Sequence, residues 1–182
     1  NLKKLGHKII SPVPSLFTFN SKDERIKGLS GISVPNAMVQ VAASDLEASG
    51  PLLITHWGFS GPAILRLSAW GARELNDRFY RFPIMINWIG RDEDEVLADF
   101  NEEKKHSGKK RIGNHAHYGI PLRLWKSMVA GAGIKSTATW GDLSGKDLKH
   151  LVSELCCAVF QISGKSTFKD EFVTAGGVDL RD

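Results

Sequence analysis

The stretch of this chain richest in chemically capable groups is Thr55-His56-Trp57-Gly58-Phe59-Ser60-Gly61-Pro62, which sets hydroxyls, an imidazole, an indole and two glycines at what reads as a strand-to-helix junction. A junction of this form turns backbone N–H groups outward at the start of a helix, which suits an anion, a phosphate or an electron-rich ring. His56 is a candidate general acid or base; a single histidine in such a place also serves as a packed or capping residue. Ser60 reads as the helix N-cap rather than a nucleophile. Gly58-Phe59-Ser60-Gly61-Pro62 has proline where the second glycine of a Gly-x-Ser-x-Gly elbow belongs, so a serine hydrolase is not expected. No residue is assigned a catalytic role from sequence.

Three other groups bear on chemistry. His115 and His117 flank Ala116, and they could share a metal only in an extended segment onto which further ligands converge; with no cysteine or carboxylate pattern nearby, no metal is expected. Lys104, Lys105, Lys109, Lys110 and Arg111 form a basic run around His106-Ser107-Gly108. Such a run is usually a solvated loop, and a phosphate-binding patch would want interleaved aromatics that the linear sequence does not show. Cys156 and Cys157 are adjacent in a helical pattern, where side chains diverge, so no disulfide joins them and a reducing compartment fits. The chain holds no Gly-x-Gly-x-x-Gly after a strand and no Gly-x-x-x-x-Gly-Lys-Ser/Thr, so no nucleotide fingerprint of its own.

These groups must be positioned by the elements around them. Prolines and glycines at 12, 14, 28, 31 and 35 break a β-rich opening into short strands expected near 8–10, 15–19, 27–29 and 38–42. An acidic loop at 45–50 and a strand at 52–55 follow. Ala63, Leu65, Leu67, Ala69, Trp70, Ala72 and Leu75 then recur through good helix formers with Pro62 in the first turn. Ile84, Met85, Ile86 and Trp88 mark a return to strand over 81–89, starting at an edge or bulge because of Pro83.

Beyond Gly90 the pattern becomes helical. Asp92-Glu93-Asp94-Glu95 supplies negative charge to a first turn, and Leu122, Leu124, Trp125, Met128 and Val129 mark a second helix closed by Gly131 and Gly133. Asp142-Leu143-Ser144 introduces a third, with Leu148, Leu151, Val152, Leu155, Val159 and Phe160 at the 3.6-residue period, ended by Gly164. Residues 167–178 are strand-like again. The expected fold is α+β: an irregular β-barrel-like unit of residues 1–90 plus 165–182, interrupted by a small all-helical unit of residues 91–164.

With 42% hydrophobic and 24% charged residues in 182, the chain can bury a real core. It has no run long enough to span a bilayer and no signal-peptide zones, so a soluble, cytoplasmic protein is expected. The formal charge of +4 is too mild to demand a nucleic-acid partner. The chain opens at Asn1 without Met and stops soon after the apolar Phe172-Val173-Thr174-Ala175-Gly176-Gly177-Val178, a strand with nothing after it to pair with. The expectation is an internal piece of a larger protein.

Several stretches together resemble one family, the BaiN-type or aminoacetone-oxidase-like FAD-dependent flavoproteins. Leu5-Gly6-His7 with Pro12-Val13-Pro14-Ser15-Leu16 is similar to its Leu-Gly-His…Pro-x-Pro-x-Leu segment, and residues 55–65 to its Thr-His-x-Gly-x-Ser-Gly-Pro-x-x-Leu signature. Residues 172–178 resemble the point where that chain returns to its flavin domain, and Pro121-Leu122-Arg123-Leu124-Trp125 its Pro-x-Arg-Leu helix. The resemblance implies an insert between the halves of a Rossmann-like FAD domain, in which a β-barrel-like unit is interrupted by a helix-two-turns-helix unit. It implies FAD in the parent and none in this chain, with NAD(P)H a candidate reductant. The partners are then the FAD domain of the same parent and an unidentified small-molecule substrate. Thr55, His56, Gly58, Ser60, Gly61, Thr174, Gly176 and Gly177 would face the pocket or the flavin. The alternative is a nucleic-acid-binding module built from the helical unit and the basic run.

Overall fold

A computed structural model describes residues 2–166 and 173–181. Among them β1 (Ile9–Ser15) and β9 (Val173–Val178) form a two-stranded antiparallel ribbon, with Ile9 opposite Val178 and Ser15 opposite Val173. One strand therefore replaces the two expected at 8–10 and 15–19. It tolerates Pro12 and Pro14 because the ribbon leaves each strand an unpaired edge, and Pro12 also because the register shifts between Ile10 and Val13, where a bulge takes up its lost N–H. Leu16, at φ 54, turns the chain out of the ribbon.

The main sheet has seven strands: β2 (Phe19–Asn20), β3 (Ser33–Val41), β4 (Glu47–Ile54), β5 (Gly58–Ser60), β6 (Phe82–Asn87), β7 (Ala158–Ile162) and β8 (Gly164–Lys165), in the order β7-β6-β3-β4-β5-β2-β8. The strands at its two edges, β7 and β8, are separated only by Ser163. There the chain leaves β6 and joins β2, so the sheet curls on itself. Ser163 N–H donates to the Asn20 carbonyl at 2.9 Å and Ser21 Oγ to the Gln161 carbonyl at 2.9 Å across this seam. The result is barrel-like without being a closed barrel. Phe82, Ile84 and Ile86 of β6 and Ala158, Phe160 and Ile162 of β7 point inward at the two-residue period.

Several expected boundaries shift for identifiable reasons. The segment at 27–29 is not a strand; Asp23 caps a short 3-10 turn at Glu24–Ile26 by accepting from Arg25 N–H, and the chain turns away after it. The acidic loop at 45–50 is mostly β4. The helix expected through 62–75 is two, α1 (Pro62–Trp70) and α2 (Ala72–Asp77), divided at Gly71, where a Cβ would lie 2.4 Å from Leu46 Cδ1. The third helix of the helical unit stops at Cys156, so Val159 and Phe160 belong to β7 and the chain rejoins the sheet at 158 rather than 165.

The helical unit comprises α3 (Glu93–His106), α4 (Leu122–Gly131) and α5 (Gly145–Cys156), with 3-10 turns at Ile112–Asn114 and Trp140–Asp142. Asp92 caps α3, and Ser144 with Asp147 forms a capping box on α5. One continuous apolar core runs through both units.

Arg25 joins them. Its guanidinium donates to both Asp23 carboxylate oxygens at 2.9 and 2.8 Å, to Glu154 of α5 at 2.9 and 3.0 Å, and to the Val159 carbonyl, and it lies 4.1 Å over the Phe160 ring. The Arg25 carbonyl accepts from Ser127 of α4, and Arg123 of α4 donates to the Gly28 carbonyl. The hydrogen bond from Arg25 is the main cause holding the Asp23 carboxyl below its ordinary pKa, while Asp23 raises that of Arg25. Replacing Arg25 by Ala would leave two partly buried carboxylates without their shared cation. We expect Arg25→Ala to lower unfolding free energy by about 2 kcal/mol or more in urea titrations, with Arg25→Lys recovering little because an ammonium lacks the planar fork. Stability within a few tenths of wild type for either variant would contradict this.

Candidate functional site

The sequence-singled junction is a tight hairpin. Leu53 pairs with Ser60 and Ile54 with Phe59, leaving His56 and Trp57 at the tip. Thr55 Oγ1 accepts from the N–H groups of Trp57 and Gly58 at 3.4 and 3.1 Å, and Thr55 N–H donates to the Gly58 carbonyl at 2.8 Å. The tip is fastened to the neighbouring strand by Ser21 N–H, which donates to the Trp57 carbonyl at 2.8 Å. Gly58 is required there: at φ 150 a Cβ would sit 2.1 Å from the Phe19 carbonyl oxygen. Ser60 is not the N-cap of α1. It lies in the β5 ladder, and Gly61, at φ 95 with no side-chain cap bond, takes that position. A Cβ on Gly61 would meet the Pro51 carbonyl at 2.8 Å, so β4 fills the corner where an anion was envisaged.

Thr174, Gly176 and Gly177 lie elsewhere, on β9. A Cβ on Gly176 would come within 2.9 Å of the Ser11 carbonyl of the paired strand, and Arg73 of α2 reaches the Ser11 and Ala175 carbonyls at 3.4 and 3.5 Å. Phe172 and the rest of 167–172 fall outside the described residues. The anticipated facing residues thus form a hairpin tip and a ribbon rather than one constellation.

The hairpin tip borders an open cavity of about 1070 Å³, walled also by residues 20–24, Lys27, Gly28, Arg81 and Ser163. Trp57 is 41% exposed, and its ring centroid lies 6.1 Å from that of His56. Both carboxylates at the mouth are engaged, Asp23 by Arg25 and Glu24 by Lys27 at 3.0 Å. Lys22 and Arg81, also in its lining, form no ion pair among the described residues. Sequence reading missed both, since only folding brings 22, 57 and 81 together.

A second cavity of about 460 Å³ lies in the helical unit, lined by Lys109, Lys110, Arg111, His115, His117 and Trp140, with Asn114 and Glu103. The basic loop is held rather than loose. Gly141 N–H donates to the Gly108 carbonyl at 2.8 Å, Trp140 N–H to the Lys110 carbonyl at 3.0 Å, and Arg111 bridges to Thr139. Lys104 and Lys105 turn to other partners, the Leu143 carbonyl and Glu102. The aromatic group absent from the linear run is therefore provided by Trp140, from the turn after α4.

His117 stands between Trp125 and Trp140, 5.2 Å from each ring centroid. Burial lowers its pKa, and His115, 5.8 Å away, works in the same direction against Glu103 and Asp99. Burial and the hydrogen bond to Asp99 at 3.0 Å raise the Tyr118 phenol. Among the described residues no group of three or more His, Cys, Asp or Glu is placed to hold a metal ion. Burial pushes the Cys156 thiol up to about 12, and burial with the Cys157 Sγ–H bond to Glu93 at 2.8 Å pushes Cys157 up to about 11, so neither is an activated nucleophile. No helix among the described residues is long and apolar enough to cross a membrane.

Arg123 of α4 touches Gly28 at the rim of the larger cavity, and two residues on, Trp125 Nε1–H donates at 2.7 Å to the carbonyl of Ile112, next to Arg111 of the smaller. The Pro51 carbonyl of β4 stands against Gly61, so that corner does not fit a flavin phosphate.

Residues 13–173 match the family model described as "HI0933-like protein barrel and H2TH domain". The chain is 27% identical over 182 residues to the "Ribosomal RNA dihydrouridine synthase" of Haemophilus influenzae, an alignment covering 98% of this chain and 42% of that protein. To the protein of the same name from Escherichia coli it is 27% identical over 161 residues, covering 87% of this chain and 37% of the relative. The chain thus spans well under half the length of these relatives.

The burial of His117 has a measurable consequence. The folded state disfavours the protonated imidazole, whereas the unfolded chain protonates near the ordinary value of 6.5. Below that pH unfolding takes up a proton, so stability falls as pH drops through about 6.5 and levels off beneath the folded-state value. Urea midpoints should decline from neutral to mildly acidic pH, and less steeply in His117→Gln. An identical decline in both proteins would show that His117 does not cause it.

Proposed function

Because the chain belongs to the family of HI0933-like barrel and H2TH domains, the insert of BaiN-type flavoproteins, we propose that it is the substrate-side part of a flavin-dependent enzyme whose substrate is folded RNA. The observation that carries this reading is the cavity of the helical unit, where Lys109, Lys110 and Arg111 surround Trp140 and two histidines on a loop pinned by backbone hydrogen bonds. Cations neutralise phosphates, and an aromatic edge among them lets a strand settle. The name shared by the relatives, a ribosomal RNA dihydrouridine synthase, supports RNA as the substrate class. The flavin would be held by the remainder of the longer protein. This chain's part is to grip the RNA and present it, with the Thr55–Gly61 hairpin and the Thr174–Gly177 ribbon turned toward the flavin domain. NAD(P)H as reductant fits the same scheme.

Binding of a folded RNA should weaken steeply with added salt, and the combined substitution Lys109→Ala, Lys110→Ala and Arg111→Ala should reduce the log–log salt slope by about two to three. Fluorescence anisotropy over a salt series measures it. Flat, weak binding, or a slope the triple variant leaves unchanged, would overturn RNA as the substrate.

A further inference from the structure

Given RNA as the substrate class, the reading on which this rests, we infer that His115 and His117 together hold a backbone phosphate in the cavity of the helical unit and take up a proton as it binds. Both line that cavity beside Lys109, Lys110 and Arg111, and their ring centroids lie 5.8 Å apart, within reach of one phosphate group. Among the described residues neither imidazole has a hydrogen-bond partner, unlike His106, whose ring bonds the Glu102 carbonyl at 2.9 Å. A half-buried histidine that served only to pack would pair its ring N–H. The nitrogens of this pair are left to what enters the cavity.

The pair is also held in place. His117 stands against Phe100, Trp125 and Trp140, with ring centroids 5.8, 5.2 and 5.2 Å away. The chain on either side is pinned, by Ile112 N–H donating to the Ala138 carbonyl at 3.1 Å and by the Tyr118 hydroxyl donating to Asp99 at 3.0 Å.

Charge decides when the proton is held. Burial is the main cause lowering the pKa of His117 and His115 adds to it, while Glu103 and Asp99 of α3 oppose them. Asp99 is already shared with Arg91 at 2.8 Å and with Tyr118, and Trp125 of α4 and Trp140 bring no charge. Lys109, Lys110 and Arg111 complete the charged lining. An entering phosphate supplies the anion that this balance lacks, and the imidazolium then donates a charge-assisted hydrogen bond to it. By linkage, an anion that favours the proton is itself bound more tightly as the pH falls.

The test is fluorescence anisotropy of one folded RNA with this chain at fixed ionic strength, from about pH 8 to about pH 6, across the range in which an imidazole gains its charge. Circular dichroism confirms folding at each pH. Wild-type affinity should rise roughly tenfold on acidification, and calorimetry in buffers of different ionisation enthalpy should record proton uptake on binding. The double substitution His115→Gln and His117→Gln should lose the rise and the proton uptake, whereas Lys109→Ala should weaken binding throughout and keep the rise. If the double variant does not fold, His115→Gln alone, at an exposed position, should lose part of the rise. Wild-type affinity that does not change with pH, or a rise undiminished in the folded histidine variant, overturns the histidine site and leaves the RNA reading standing. Failure to bind RNA at any pH overturns both.

Discussion

The fold depends on the charge balance around Arg25. Its guanidinium is shared between Asp23, beside the sheet, and Glu154, on α5, with the Phe160 ring beneath it. A planar cation that donates in several directions at once can fasten two acids and a backbone carbonyl without leaving any unpaired. Gly131 belongs to the same arrangement, because a Cβ there would lie 3.0 Å from Glu154 Oε2 and 3.1 Å from Arg25 Cδ. Without this junction the apolar core and the backbone bond from Trp88 N–H to the Leu155 carbonyl at 2.9 Å would still join the units, but Asp23 and Glu154 would lose the cation they share.

The junction matters because the capable surfaces lie on different units. The hairpin tip is fixed by the sheet, through the ladder of β4, β5 and β2. The basic loop is fixed by the helical unit, through the backbone bonds from Trp140 and Gly141. The link between them is α4, whose Arg123 holds Gly28, whose Ser127 holds the Arg25 carbonyl and whose Trp125 holds Ile112. The two surfaces are thereby held rigidly, and a net charge of +4 is too small to select a partner by attraction alone.

Much of the architecture was legible from residues in a row. The acidic first turn of α3, the capping box of α5 and the inward alternation of β6 each rest on local chemistry that the sequence displays. The errors came where tertiary pairing outranked local preference. Ser60 has the right residue type for a cap, but its ladder position opposite Leu53 holds it in a strand. Phe160 matches a helical spacing from Val152, yet it also fits the alternation with Ala158 and Ile162, and the free edge of β6 decides. The site was least legible of all. Trp140 joins the basic run, and Lys22 and Arg81 join Trp57, only through contacts far apart along the chain, and no single window of sequence contains them.

The most direct measurement of whether this chain presents RNA to a flavin is made in the complete protein that contains it. With FAD bound and reduced in the absence of oxygen, a uridine-containing folded RNA is added and the flavin absorbance followed. The RNA should reoxidise the flavin as a uracil ring takes up two hydrogens, and a free nucleoside should do so far more slowly. A flavin that stays reduced in the presence of RNA, or that is reoxidised equally well by free uridine, would contradict this.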